Sequence, residues 1–126
     1  GLVGSEMCIR DRKIPALYHA AAGSWYGENV LHIHDEDILN AVRYHTTGRA
    51  GMSRLEECVY LADLISEDRT YKDVGRMRRL AFEDINGAML EAARFTLSDV
   101  IAKGSFIPEN SMQTYNYYTA LIKQDK

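Results

Sequence analysis

Long apolar runs are missing from this chain of 126 residues. None approaches the roughly 20 residues a membrane-spanning helix needs, so no membrane span is expected. Charge of one sign is not in excess. Fifteen Lys and Arg stand against 18 Asp and Glu, for a formal net charge of −3, which gives no general reason to expect nucleic acid or an anionic membrane as partner. A local basic residue can still bind a phosphorylated small molecule. Cysteine is scarce: Cys8 and Cys58 lie far apart and form no metal-type spacing. Cys58 falls in a helical apolar stripe, so a buried free thiol and a reducing cytoplasm are the expectation. A Gly-rich phosphate loop, a nucleophile elbow and a Cys-based zinc motif are all absent, which argues against P-loop enzymes, serine hydrolases and zinc fingers.

What is present is an ordinary globular composition, 46% hydrophobic and 26% charged, long enough for one domain around a single core. Gly1 to Arg12 is the exception. It has no helical or strand period, and it lacks the basic start and continuous apolar region of a signal peptide. Its Met7-Cys8-Ile9-Arg10-Asp11-Arg12 string resembles translated sequencing-adapter DNA. It is therefore expected to be an artefactual or disordered tail, with the domain beginning at Lys13.

From Lys13 onward the pattern predicts helices joined by short loops and no strand. One helix covers Ala16 to Tyr26, with Gly27 and Asn29 as a stop. His34 or Asp35 caps the next, whose Ile38, Ala41, Val42 and His45 recur at i, i+3, i+4 and i+7 and place His45 on the buried face. Thr46 to Met52 is a glycine loop. Ser53 caps a helix with the apolar stripe Leu55, Cys58, Val59, Ala62 and Ile65, and Asp63 lies at its edge. A polar loop carrying Arg69 leads to a short helix over Arg76 to Phe82. A longer one runs from Asp84 to Lys103, with Ile85, Ala88, Met89, Ala92, Phe95 and Val100 inward and Gly104 ending it. Pro108 opens the last segment, with Met112, Tyr115, Thr119 and Ile122 facing the bundle.

Few of these residues carry chemistry by type alone. A carboxylate inside an apolar run must neutralise, pair or bind a cation. A histidine and an aspartate brought together by consecutive helices suit a divalent transition metal. Asp63 lies 18 positions after His45, and His19 lies 26 before it, so helix packing could bring all three together. The bland readings are a hydrogen-bonded interior histidine and an Asp63 paired with an arginine such as Arg43. His32 and His34, beside Asp35, could also ligate, but their place before a helix start favours capping. Tyr115, Tyr117 and Tyr118 could stack on a base, although packing of Tyr115 with exposed neighbours is the simpler reading. Arg76, Arg78 and Arg79 read as a solvated helix face.

Three strings carry a family resemblance: Ile38-Leu39-Asn40-Ala41-Val42-Arg43-Tyr44-His45-Thr46-Thr47-Gly48-Arg49, Gly51-Met52-Ser53, and Tyr60-Leu61-Ala62-Asp63-Leu64-Ile65-Ser66-Glu67-Asp68-Arg69. They resemble the symmetrical bis(5′-nucleosyl)-tetraphosphatases of the HD-domain superfamily, and a weaker likeness runs from Lys13 to about Asn116. The resemblance implies an all-α fold, the C-terminal part of a helical HD-domain bundle over residues 13–126. It implies a bacterial metallohydrolase holding two divalent metal ions, usually iron, that splits diadenosine tetraphosphate into two ADP. A dinucleoside polyphosphate or ADP would then be the partner. By the same resemblance His19 and His45 match ligands of one metal, and Asp63 matches a catalytic metal ligand of the other. Arg69 matches an arginine that holds nucleotide phosphate. The segment Phe106, Ile107, Pro108, Glu109, Asn110 and Ser111 matches one that lines the nucleotide site. The sequence departs from the family pattern at Ala20, where glycine follows the histidine, at Pro108, where histidine is common, and at Tyr115, where arginine is common. The family's first metal-binding histidine and its His-Asp pair belong upstream of Lys13, and His34-Asp35 cannot replace them. The chain is thus expected to be a truncated hydrolase with little activity of its own. The competing readings are a non-catalytic helical nucleotide-binding or interaction module and an HD phosphohydrolase with another nucleotide substrate.

If Gly1 to Arg12 lies outside the fold, deleting it should leave thermal stability unchanged within about 0.5 kcal/mol, as for other surface changes. Thermal unfolding of the chain with and without these residues checks this, and a larger loss would place the segment in the fold.

Overall fold

The computed structural model describes residues 15–124, with side chains from residue 19 onward. The tail expected over Gly1 to Arg12, with Cys8 in it, lies outside the described residues. Among the described residues there are six helices and no strand: α1 Pro15–Asn29, α2 Glu36–Arg43, α3 Arg54–Ile65, α4 Val74–Glu83, α5 Ile85–Ala102 and α6 Glu109–Gln124. Consecutive helices pack on one another, and α3 also reaches α5. No helix among the described residues is long and apolar enough to cross a membrane.

Polar caps set most boundaries where the sequence places them. The Asp35 carboxylate accepts from the backbone N–H of Asp37 at 2.9 Å and of Ile38 at 3.3 Å, satisfying donors that the first turn of α2 cannot pair internally. Ser53 opens α3 with a reciprocal capping box: Glu56 N–H donates to Ser53 Oγ at 3.2 Å, and Ser53 N–H donates to Glu56 Oε2 at 3.0 Å. Asp84 both ends α4 and caps α5 through Gly87 N–H at 3.1 Å. Gly104 ends α5 at φ +67°, as expected. The first helix differs. It runs through Gly27, which is buried against Leu39 and Ile33 of the next segment, so this glycine makes room for packing and does not stop the helix.

The core gathers Met52, Tyr60, Leu61, Met77, Ala88, Met89, Ala92 and Tyr118. On α5 the inward face matches the sequence pattern: Ala88, Met89 and Ala92, at i, i+1 and i+4, are fully buried. On α3 it does not. Glu56, Glu57, Tyr60 and Leu61 are buried, whereas Leu55, Cys58 and Ala62 are exposed. Cys58 is a free thiol, as expected, but an exposed one. The helix is turned by about one residue from the apolar stripe, because two carboxylates with partners take the inward positions. On α2, Leu39 and Ala41 are buried while Ile38 and Val42 are exposed. The helix ends at Arg43, so the extrapolated 3.6-residue period no longer applies at His45, which is half-buried. On α6, Ser111, Thr114 and Tyr118 face inward; Met112 is exposed and Tyr115 half-buried.

Thr114 ties α6 to the loop after α2. Its hydroxyl shares its hydrogen between Thr47 O at 3.0 Å and Asn110 O at 2.7 Å. The next residue, Gly48, has φ +70°, and a Cβ there would stand 2.7 Å from Thr114 Oγ1 and 2.9 Å from Thr114 Cγ2. Both conditions require glycine. Gly51 has the same φ but nothing within 4 Å of a built Cβ. Gly51→Ala should therefore cost only backbone strain of about 1–3 kcal/mol. Gly48→Ala should cost roughly 1–3 kcal/mol more, from overpacking. Urea unfolding of the two variants checks the difference, and equal losses would show that the Thr114 contact carries no weight.

Candidate active site

The loop between α2 and α3 presents His45. Its Nδ1 lies 2.6 Å from Val42 O, and a carbonyl only accepts, so Nδ1 carries the proton. Nε2 is left as the lone-pair nitrogen, with the Thr46 hydroxyl donating to it at 3.3 Å. A ring fixed through Nδ1–H to a carbonyl, with Nε2 presented, has the tautomer a metal ligand needs.

An ion pair between half-buried Arg49 and buried Glu56 holds this loop. Arg49 Nε and Nη2 donate to Glu56 Oε1 and Oε2 at 2.7 and 2.8 Å, a bidentate fork. The Arg49 guanidinium also lies 5.1 Å from the centre of the Tyr44 ring. Burial pushes the Glu56 carboxyl up, but the Arg49 and Ser53 hydrogen bonds outweigh it and hold the carboxyl below its ordinary range. The hydrogen bond to Glu56 raises Arg49 in turn. The adjacent Glu57 accepts from Tyr118 Oη at 2.5 Å and faces Arg54 at 3.3 Å. Burial, and then the carboxylate it serves, push the Tyr118 hydroxyl above the usual tyrosine range. Ser53 Oγ donates to the Asp37 carboxylate, linking α2 to the start of α3.

Asp63 lies in the last turn of α3, exposed and turned away from the apolar face whose edge it was expected to occupy. Its partner is Arg69, in place of Arg43. Arg69 Nε–H donates to Asp63 O at 3.0 Å, and its Nη2 stands 3.7 Å from Asp63 Oδ1. The two residues singled out for metal and phosphate thus sit side by side.

The remaining candidates are more dispersed. His19 is exposed on α1. No group of three or more His, Cys, Asp or Glu that could hold a metal occurs among the described residues, so His19, His45 and Asp63 do not form one cluster here. Their donors suit metals one at a time, without a complete ligand set. Of the 106–111 segment, Phe106, Ile107 and Glu109 are exposed, Asn110 is half-buried, and Pro108 and Ser111 are buried. Ser111 Oγ has no hydrogen-bond partner, which leaves one donor uncommitted in the first turn of α6. His32, at φ +57°, and His34 are exposed, and Asp35 serves as a cap, as expected. Two cavities, of about 380 Å³ between α4 and α5 and about 210 Å³ between α1 and α2, are lined by none of the candidate residues.

Three contributors were not singled out from the sequence: Arg49, Glu56 and Arg78. The Ser53-x-x-Glu56 spacing was a legible signal for Glu56, since it is the capping-box pattern. Arg78, expected on a solvated face with Arg76 and Arg79, is half-buried and donates to backbone carbonyls. Arg76 instead pairs with Glu91.

No family model matches the chain. The chain is 37% identical over 103 residues to a symmetrical bis(5′-nucleosyl)-tetraphosphatase of Bacillus subtilis, a match covering 82% of this chain and 55% of the relative. It is 39% identical over 100 residues to one from Halalkalibacterium halodurans, covering 79% and 54%. Its fold superposes with a TM-score of 0.86 and 40% identity on the crystal structure of a predicted HD superfamily hydrolase involved in NAD metabolism from Clostridium acetobutylicum, covering 91% of this chain and 61% of that one. The chain therefore spans about half the length of the curated relatives it matches.

The Arg49–Glu56 pair has a signed pH dependence. The folded Glu56 carboxyl lies below its unfolded value, so its stabilisation is present above the ordinary glutamate range, near pH 4.3, and is lost as pH falls through the folded value. Glu56→Gln should destabilise by roughly 1.5–3 kcal/mol at pH 7, as for hydrogen bonds to charged groups. That deficit should shrink in acid. Urea unfolding of both proteins at pH 7 and pH 3 checks the sign, and a deficit independent of pH would refute it.

Proposed function

This chain is a relative of the symmetrical bis(5′-nucleosyl)-tetraphosphatases with the fold of an HD-superfamily hydrolase, and from that premise we propose that the whole protein hydrolyses diadenosine tetraphosphate to two ADP. Water adds to a phosphorus on one side of the central bridge of the tetraphosphate, the bridging P–O bond breaks, and two ADP leave. The observation that carries the reading is the juxtaposition of Asp63 with Arg69, a metal-type carboxylate beside a phosphate-type guanidinium.

The residues divide the work as follows. Asp63, exposed at the end of α3, offers carboxylate oxygens of the kind hard or borderline cations bind. His45 keeps its proton on Nδ1 through Val42 O, so Nε2 stays available as a ligand. His19 would add a further imidazole. Arg69 uses Nε to hold Asp63 O and retains its terminal N–H groups for phosphate oxygens, where a planar fork binds best. Residues 106–111 would line the nucleotide. The remaining metal ligands would come from the part of the relatives that this chain does not match. Bound divalent ions, for which iron is proposed, would supply polarisation of a phosphoryl oxygen and activation of water. A cytoplasmic location fits a nucleotide substrate.

In the whole protein, ADP release from diadenosine tetraphosphate should require a divalent metal, stop with chelator and return with iron. Asp63→Ala should lower turnover at least about 100-fold, the upper end of what loss of an outer-shell partner costs, and reduce bound metal. Arg69→Ala should lower kcat/KM about 10- to 150-fold, one charge-assisted hydrogen bond. His34→Ala should change neither. Following ADP and metal content together tests the assignment. ADP binding without turnover would instead make the protein a non-catalytic nucleotide-binding module.

A further inference from the structure

We propose that Arg78 is a positioning residue for the Asp63–Arg69 pair, clamping the loop after α3 at three points; this rests on the reading of that pair as part of the hydrolase site. The last carbonyls of a helix have no partner within it. At the end of α3 one guanidinium supplies them. Arg78 Nε donates to Ile65 O at 2.9 Å, and its Nη2 donates to Ser66 O at 2.8 Å and to Arg69 O at 3.2 Å. Its three acceptors span both ends of the turn from Ile65 to Arg69. Tyr71 adds a second anchor, with its hydroxyl donating to Leu64 O at 2.7 Å while its ring stacks on Phe95 of α5 at 4.5 Å.

The geometry gives the two arginines different tasks. Arg78 stands on a helix, beside Met77, which is buried in the core, so its base is rigid. Its Nε and Nη2 donors are spent on carbonyls, and a cation there also suits the negative end of the α3 dipole. Arg69 stands on the loop and owes its direction to the loop's shape. With Ile65, Ser66 and Arg69 held together, Arg69 Nε–H meets Asp63 O and the guanidinium lies beside the carboxylate. Lysine cannot reproduce the clamp, because one ammonium lacks the planar fork that reaches several carbonyls at fixed angles.

The test uses the chain itself and two readouts. One is solvent exchange of the Arg69 Nε–H, measured by NMR on labelled protein. The other is binding of ADP, measured calorimetrically. Arg78→Met should accelerate the exchange at least about 10-fold, as expected for a locally opened hydrogen bond. It should also weaken ADP binding about 5- to 20-fold, and Arg78→Lys should fall between it and the parent on both readouts. The double variant with Arg69→Ala should bind no more weakly than Arg69→Ala alone, because Arg78 acts through Arg69. If Arg78→Met does not fold, Arg78→Lys decides by the same readouts. Unchanged Arg69 exchange in a folded Arg78 variant, or losses that multiply in the double variant, would overturn the proposal. If Arg69→Ala leaves ADP binding intact, the nucleotide reading fails, while the exchange of Arg69 Nε–H still decides the clamp.

Discussion

Two consecutive carboxylates, Glu56 and Glu57, are buried in the first turn of α3. Burying an unpaired charge costs several kcal/mol, so each must find a partner wherever the rest of the chain lies. Glu56 draws in Arg49 and with it the loop that follows α2. Glu57 draws in Tyr118 and with it the last helix. The positive end of the α3 dipole favours both charges. The loop bearing His45 and the helix that closes the bundle are therefore referred to the same turn of backbone. Apolar burial is non-directional, whereas a hydrogen-bonded carboxylate tolerates little displacement.

The other end of α3 is organised by the opposite sign. Its free carbonyls collect guanidinium groups: Arg69 on Asp63 O, and Arg78 on the carbonyls of Ile65, Ser66 and Arg69. One helix of 12 residues thus carries buried acid at its start and basic partners at its end. The candidate site develops at that basic end and at the loop that the acidic end secures. Chemistry gathers at helix termini here because the backbone itself lacks partners there.

Helix order, caps and the inward face of α5 were legible in the sequence, because they rest on local signals. Ser53, Asp35 and Gly104 act over three or four residues, and Ala88, Met89 and Ala92 repeat cleanly. The inward faces of α2, α3 and α6 were not, and the cause differs in each. On α3, glutamates count as solvent-facing until their partners are known, and those partners lie 7 and 61 positions away. On α2 the helix stops two residues before His45. On α6, Thr114 faces inward because it serves a carbonyl 67 positions earlier. Within the candidate site, residue types and spacing pointed to His45 and Asp63, and the family resemblance pointed to Arg69. Side-chain direction was not legible: Asp63 faces outward, to Arg69 and not Arg43, and Arg78 is absorbed by backbone. Tyr118, in place of Tyr115, became the buried tyrosine for the same reason, since Glu57 needs its hydroxyl.

The joint between Gly48 and Thr114 has a consequence for how this sequence can drift. Two separate locks act on position 48: a left-handed backbone and a neighbour within 3 Å of any added carbon. Shortening Thr114 to alanine would open the second lock and leave the first, admitting at most asparagine or aspartate, which tolerate that backbone. The same shortening would strand Thr47 O, now served by the Thr114 hydroxyl. Serine keeps the oxygen that fills the space. Change at this joint is therefore ordered, with position 114 moving before position 48. Sequences related by descent should show the two positions varying as a pair or hardly at all.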